Sequence, residues 1–345
     1  MYKYIISWLC ILLISCNDRQ TKLSFQPLPV ENTSYIKGTV LCDSLLMKLV
    51  GDIDYYDSCL IVSAYSEGYF MHCYDRNTGK FIQHRFAKGR GPGEILAMSS
   101  INLNRNSGKM SFFDPVASKK YEYELDSILT TYTGEGRLMK NALRNVMPLN
   151  DYFLAGMGAG KDTDGHYRRL HLMREDSVIF RYWDYPLWGN GIKKQIALFY
   201  CYTGQLEVAP DRKHFVVTTS LGAILEIFSA TRDSIHLETT KGFIEPIFDL
   251  HQNQVYPLPN QTIWGFHDLY PTDRYIYTLY SGNTEGSKNP VNIAVFDWQG
   301  NLVKFYRTSF PLKRLCVDEQ NKELFAVGLN ADYETVIIKF KLDLL

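Results

Sequence analysis

From about residue 35 onward the chain keeps one texture: short runs rich in Val, Ile, Tyr, Phe and Thr, cut at intervals by turn residues. Hardly any stretch carries the apolar spacing of an amphipathic helix, whereas several runs alternate as half-buried strands do. Asn77-Thr78-Gly79 separates Tyr69–Tyr74 from Phe81–Phe86, and Asn106-Ser107-Gly108 separates residues 100–103 from Met110–Phe113. Asp211-Arg212-Lys213 precedes Phe215–Thr219, and Gln299-Gly300-Asn301 splits Val291–Trp298 from Leu302–Tyr306. Gly and Asn tolerate the positive φ values that tight hairpins need, so these strings read as turns between strands.

The strand groups recur at about 45 to 50 residues, a period that in an all-β chain points to propeller blades. They fall near residues 49–87, 96–131, 143–183, 199–241, 261–309 and 313–343. The last group supplies only three clear strands, Arg314–Val317, Glu323–Gly328 and Thr335–Lys341, while Tyr35–Leu41 is left spare at the other end. A strand from one terminus that completes the blade formed by the other hides two unpaired edges. The pattern therefore predicts an all-β fold, a six-bladed β-propeller over residues 35–345, whose last blade is closed by an N-terminal strand.

The first residues read as an export signal. Lys3 precedes an apolar run from Ile5 to Ile14, too short for the roughly 20 residues of a membrane span but suited to a signal peptide. It ends Leu13-Ile14-Ser15-Cys16, which resembles a bacterial lipoprotein box. That resemblance implies cleavage after residue 15 and acylation of Cys16. Several acyl chains on one residue anchor stably where a single chain is marginal. Residues 16–34 then serve as a polar tether containing Pro27 and Pro29. Asp18 is offset by Arg19, so the sequence sets no side of the outer membrane.

Charge changes the picture by exclusion. Lys plus Arg and Asp plus Glu each number 37, which gives no global field for a phosphate backbone and argues against nucleic acid as a partner. Of seven cysteines, five lie beyond the lipoprotein box, an odd number with no C-x-x-C. Neither a disulfide framework nor a zinc site is predicted. Cys59 and Cys73 lie on runs that read as neighbouring strands, and buried free thiols are the common state of scattered cysteines.

The most distinctive string is Ala87-Lys88-Gly89-Arg90-Gly91-Pro92-Gly93-Glu94. A dinucleotide loop needs a third Gly where Glu94 stands, and a helix after it. The string reads instead as a crossing between two blades, with Pro92 stiffening it by fixing φ. It resembles the G-x-G-P-G-E string of six-bladed, TolB-like propeller lipoproteins of the Bacteroidota. Further matches are Trp264-Gly265-Phe266-His267-Asp268-Leu269-Tyr270, Tyr275–Gly282, Val295–Asn301 and Leu315–Glu319. The resemblance spans nearly the whole mature chain, least clearly residues 140–260. It implies the propeller fold and a lipoprotein address in the outer membrane, with no chemistry.

Backbone geometry accounts for the glycines and Pro92 but not for Arg90 or Glu94. The crossing is expected at a channel mouth, where Arg90 pairs with Glu94 or a neighbouring blade, or holds a ligand. Tyr185 and Trp188, in the aromatic connector Trp183–Gly191, are stacking candidates for a sugar ring or partner side chain. His267 and Asp268 are expected to face opposite ways in a strand, one of them into the channel. Asp162-Thr163-Asp164-Gly165 fails as a calcium loop because its twelfth position is Met173. His166 and Arg168 fall on one strand face and Arg169 and His171 on the other, which argues against a shared metal.

The ligand-binding candidates are thus Arg90, Glu94, Tyr185, Trp188 and His267, with Cys16 as the lipidation site and no cofactor or metal. The leading reading is a membrane-anchored module that binds a glycan, peptide or envelope protein rather than an enzyme. The alternatives are a glycan hydrolase or lyase acting in the channel, and a scaffold of an envelope complex. No nucleophile elbow or sialidase signature occurs, and sequence does not place two carboxylates across one glycosidic bond. For the anchor, mass spectrometry of the mature chain is expected to find acylated Cys16 at the N-terminus; an unacylated chain starting elsewhere overturns that assignment.

Overall fold

A computed structural model describes residues 23–47, 49–99, 101–130, 136–139, 143–150, 153–158, 169–182, 202–251, 254–286 and 289–343. Six sheets carry the fold, and the only helices among the described residues are two single 3-10 turns. Blade one is β3 (Val50–Tyr56), β4 (Cys59–Ser66), β5 (Tyr69–Asp75) and β6 (Phe81–Ala87). Blade two is β7 (Asn102–Asn104), β8 (Lys109–Asp114), β9 (Lys119–Glu124) and β10 (Arg137–Leu138). Blade three is β11 (Leu143–Pro148), β12 (Phe153–Gly158), β13 (Leu170–Arg174) and β14 (Ser177–Tyr182). Blade four is β15 (Leu206–Val208), β16 (His214–Thr218), β17 (Ala223–Ala230) and β18 (Ile235–Ile244). Blade five is β21 (Trp264–Pro271), β22 (Ile276–Asn283), β23 (Asn292–Phe296) and β24 (Leu302–Arg307). Blade six takes β25 (Leu312–Asp318), β26 (Glu323–Leu329) and β27 (Thr335–Lys341).

Within each blade the strands run as an antiparallel meander, and burial follows position. β4 is buried at all but one residue because neighbouring blades cover both its faces, whereas the outermost β14 alternates exposed and half-buried. Successive blades pack face to face through separate apolar clusters. Ile61, Met71 and Phe112 join blades one and two; Phe113 and Met173 join two and three. Phe215 and Leu172 lie between blades three and four, Phe266 and Leu225 between four and five, and Tyr277 and Phe340 between five and six. Ile53, Val62, Phe325 and Ile337 join blade six back to blade one, which closes the ring.

The N-terminal closure is as the spare strand predicted. β2 (Gly38–Leu45) pairs antiparallel with β27 and becomes the outer strand of blade six. Just before it, β1 (Thr33–Tyr35) pairs parallel with β24, adding a fifth strand to blade five. Residues 23–34, expected to tether, are seated on the propeller. Phe25 bridges Gly242 of blade four, and Leu28 is buried in the cluster between blades four and five. An unpredicted hairpin, β19 (Phe248–His251) with β20 (Gln254–Pro257), lies in the connection from blade four to blade five.

A polar contact also clasps the closing seam. Arg76 of blade one lies 2.7 Å from Asp318 and 3.0 Å from Glu323 of blade six, all three largely buried. Burial works against the Glu323 charge, but Lys341, Lys339 and Arg76 hold its pKa down to about 2. Arg76→Ala is expected to cost about 3 kcal/mol in urea unfolding, the low end for a broken buried pair, because Lys339 and Lys341 stay with Glu323. A loss below about 0.5 kcal/mol would show that the seam does not depend on it.

Candidate functional site

The inner strands end around a cavity of about 510 Å³, lined from blades one, two, four, five and six. Its residues come from the C-terminal halves of β3, β7, β15, β21 and β25 and from the turns that follow. Residues i and i+2 of a strand share a face. Asp52 and Asp54 of β3 therefore lie together, opposite Ile53, which is fully buried. In β15 the neighbours Leu206 and Val208 enter the core and leave Glu207 on the other face.

Three arginines tie these strand ends across the channel. Arg105, from the turn after β7, pairs with Asp54, donates to Tyr55 O at 2.6 Å and approaches the Tyr270 hydroxyl at 3.3 Å. Tyr270 in turn donates to Asp54 at 2.8 Å, so one network joins blades one, two and five. The Tyr55 ring lies between two guanidiniums, with Arg105 at 4.2 Å and Arg76 at 4.8 Å from its centroid. Burial opposes the Arg105 charge, yet Asp54 outweighs it and its pKa is raised. Arg212 of blade four donates to Asn102 Oδ1 at 2.6 Å, Leu103 O at 2.5 Å and Pro148 O at 3.1 Å, tying blades two, three and four. Arg314 of blade six donates to Gly51 O at 2.6 Å and lies 3.8 Å from Asp268 of blade five.

Two carboxylates in this wall have no cation in contact among the described residues. Asp52 accepts one hydrogen bond, 2.8 Å from Ile53 N–H, and Glu207 faces the cavity without a side-chain hydrogen-bond partner among the described residues. Both touch open space yet are ringed by protein. Desolvation comes first for both; repulsion from Asp268 and Asp54 adds to it at Asp52, and repulsion from Asp52, Asp268 and Asp54 at Glu207, so both carboxyls lie well above the usual range although Arg314 pulls them down. For Asp268, just below the cavity, burial pushes the pKa up to about 6 although Arg314 and the Leu315 N–H at 2.8 Å pull it down.

The sequence-chosen residues fare unevenly. His267 is the extra residue of a bulge, because Phe266 and Asp268 pair with the consecutive Tyr280 and Leu279. The regular alternation expected for His267 and Asp268 therefore fails, since a bulge re-aims its side chains. His267 is half-buried, and its Nε2 finds no partner among the described residues. Burial, then Arg314, lowers its pKa, so the ring is neutral. It is not among the residues that line the cavity. Tyr185, Trp188, Cys16 and the Asp162–Gly165 turn lie outside the described residues. Arg169 forms an ion pair with Glu226, both almost wholly buried, and packs on the Tyr202 ring. His171 is also buried, so this part of the His/Arg run is interior.

The Gly89–Glu94 crossing is not in the channel cavity. It precedes β7, at the opposite end of that strand from the cavity, and lines a separate groove with Asp114, Lys119 and Tyr121 of its own blade. Glu94 accepts the Gly91 N–H at 2.7 Å and closes its own loop rather than pairing with Arg90. A Cβ at position 89 would collide with that carboxylate, and Gly93 sits at φ +76°. The φ value accounts for Gly93, whereas at position 89 the Glu94 carboxylate would have to swing aside. Arg90 is exposed and makes no ion pair among the described residues, so its expected pairing is absent. Glu94→Ala is expected to lower stability by about 1 kcal/mol through the lost loop bond. Arg90→Ala should stay within about 0.5 kcal/mol in the same urea titration, and the reverse order would refute this division of roles.

Sequence reasoning missed Asp52, Asp54, Arg105, Glu207 and Arg212. The available signal was the charge itself: Asp52-Ile53-Asp54 and Leu206-Glu207-Val208 put carboxylates into inner strands that otherwise build the core.

No curated protein matches the chain. Among solved structures, an exported protein from Bacteroides fragilis is similar at TM-score 0.58 and 14% identity, with 94% of this chain and 100% of that one covered. A DUF4221 family member from Bacteroides vulgatus gives TM-score 0.55 at 10% identity, covering 90% and 97%. A gluconolactonase from Xanthomonas campestris gives TM-score 0.50 at 12% identity, covering 90% and 91%. At these identities the likeness is one of fold. The family model of TolB-like six-bladed propellers matches residues 31–320, and the chain belongs to that family.

Proposed function

We propose that this chain is an envelope lipoprotein, anchored through Cys16, whose propeller binds a ligand that presents cationic groups to the channel mouth. The observation that carries this reading is the pair Asp52 and Glu207, carboxyls facing the cavity with no cation in contact among the described residues. Of the guanidiniums at the same mouth, Arg105 and Arg212 are occupied by the protein itself, and the exposed Arg274 lies against the Tyr275 ring and donates to its hydroxyl at 3.2 Å. An ammonium or guanidinium entering the cavity supplies the missing counter-charge and forms charge-assisted hydrogen bonds. The exported Bacteroides fragilis neighbour supports an envelope location, and no helix among the described residues is long and apolar enough to cross a membrane.

A second reading, a channel hydrolase or lyase, has one observation in its favour. Carboxyls held protonated beside other carboxylates are what general acid–base work on a glycan uses. Turnover of a glycan by the purified chain, lost in both Asp52→Asn and Glu207→Gln, would establish it over simple binding.

The binding reading sets the pH dependence. A cation favours the deprotonated carboxylates, so binding releases protons and affinity rises as pH rises. Calorimetry with a small amine in buffers of differing ionisation enthalpy is expected to show that release, and uptake or no exchange would overturn the reading.

Stability has the opposite sign. Raised carboxyl pKa values mean that the unfolded chain loses its protons first, so stability falls as pH rises from about 4 through the raised native values. Asp52→Asn with Glu207→Gln is expected to match the parent Tm at pH 4 and exceed it by about 2 °C or more at pH 8, equivalent to about 1 kcal/mol. Equal Tm values at both pH values would contradict the repulsion.

A further inference from the structure

Beside the channel mouth, between blades four and five, opens a second cavity of about 320 Å³. Pro210, Thr272 and Asp273 line both, so the two adjoin on one face of the ring. The cleft's far wall is Trp298, in the turn between β23 and β24. Its Nε1–H donates to Thr272 O at 3.2 Å, which uses its single donor and leaves the ring itself as the contact surface. The His214 ring stands 6.0 Å from the indole, inclined at 53°. Asp211 holds His214 Nδ1 at 2.5 Å, and Glu238 lies 3.5 Å from its Nε2.

Three carboxylates, Asp211, Glu238 and Asp273, line this cleft, and no lysine or arginine does among the described residues. An aromatic ring beside carboxylates is the chemistry that holds an ammonium or guanidinium, through ring attraction and charge-assisted hydrogen bonds. A neutral sugar also stacks on indole. The excess of carboxylates over cations in the cleft, three acids against His214 alone, on a chain whose net charge is zero, favours the cation by complementarity.

We propose that the Trp298 cleft is a second cation subsite, so that the ligand is an extended basic peptide segment with one Lys or Arg side chain at the channel mouth and another against Trp298. This inference rests on the channel-mouth reading above. Two tethered contacts raise affinity through effective concentration.

The test uses the full mature chain in detergent, with hexalysine and the single-amine probe acetyl-lysine methylamide as ligands in calorimetry. Hexalysine is expected to bind about tenfold or more tighter than the single amine. Glu238→Gln, an isosteric change at an exposed position that lines the cleft and not the channel, should remove most of that advantage and leave the single-amine affinity unchanged. Trp298→Phe should weaken hexalysine several-fold. Unchanged hexalysine binding in both Glu238→Gln and Trp298→Phe overturns the cleft; if Asp52→Asn with Glu207→Gln still abolishes binding, the channel reading survives it. Conversely, hexalysine binding that depends on Glu238 and Trp298 but not on Asp52 and Glu207 upholds the cleft and overturns the channel reading. A neutral cello-oligosaccharide that binds in a Trp298-dependent manner while hexalysine does not bind would assign the cleft to a glycan and reject the proposal.

Discussion

Asp54 is the charge on which the channel mouth is assembled. It takes Arg105 from blade two and the hydroxyl of Tyr270 from blade five, while belonging itself to blade one. A ring of twisted sheets necessarily brings strand ends together around a gap that apolar side chains fill poorly. Arginine reaches across that gap with five donors in a fixed plane, which is why one side chain can hold acceptors from two other blades and so join three. Arg212 does the same for blades two, three and four. With those guanidiniums committed to the frame, the remaining carboxylates define what the cavity offers to anything entering it.

The seams between blades follow a different logic. Each is a slab of large apolar side chains, so it tolerates exchange of shape and volume but has little angular specificity. Polar contacts add specificity, among them Arg76 with Asp318 and Glu323 at the closure and Arg169 with Glu226 between blades three and four. Buried ion pairs of this kind add less to stability than their Coulomb attraction suggests, because desolvation offsets it.

Much of the fold was legible in the sequence because its cause is local. Turn strings such as Asn77-Thr78-Gly79 carry their own geometry, seen in the Asp75 carboxylate that accepts the N–H groups of Asn77 and Thr78. The missing fourth strand of blade six was visible as a deficit matched by a surplus. The site was less legible. Asp54, Arg105 and Tyr270 are separated by 51 and 165 positions along the chain, and only ring closure brings them into register. The bulge at His267 was hidden for a related reason, since it is fixed by the partner strand and not by its own residues. Glu94 was noticed correctly as unexplained, and the explanation, a carboxylate folded back onto Gly91, is a contact within its own loop.

The N-terminal segment has a geometric consequence. It touches blade four at Phe25, blade five through β1 and blade six through β2, in that order along the chain. With Cys16 fixed in a bilayer as proposed, the seven steps to Leu23 extend to at most about 25 Å. The edge of the disc at blades four and five is then leashed close to the lipid surface and the body can only pivot about it.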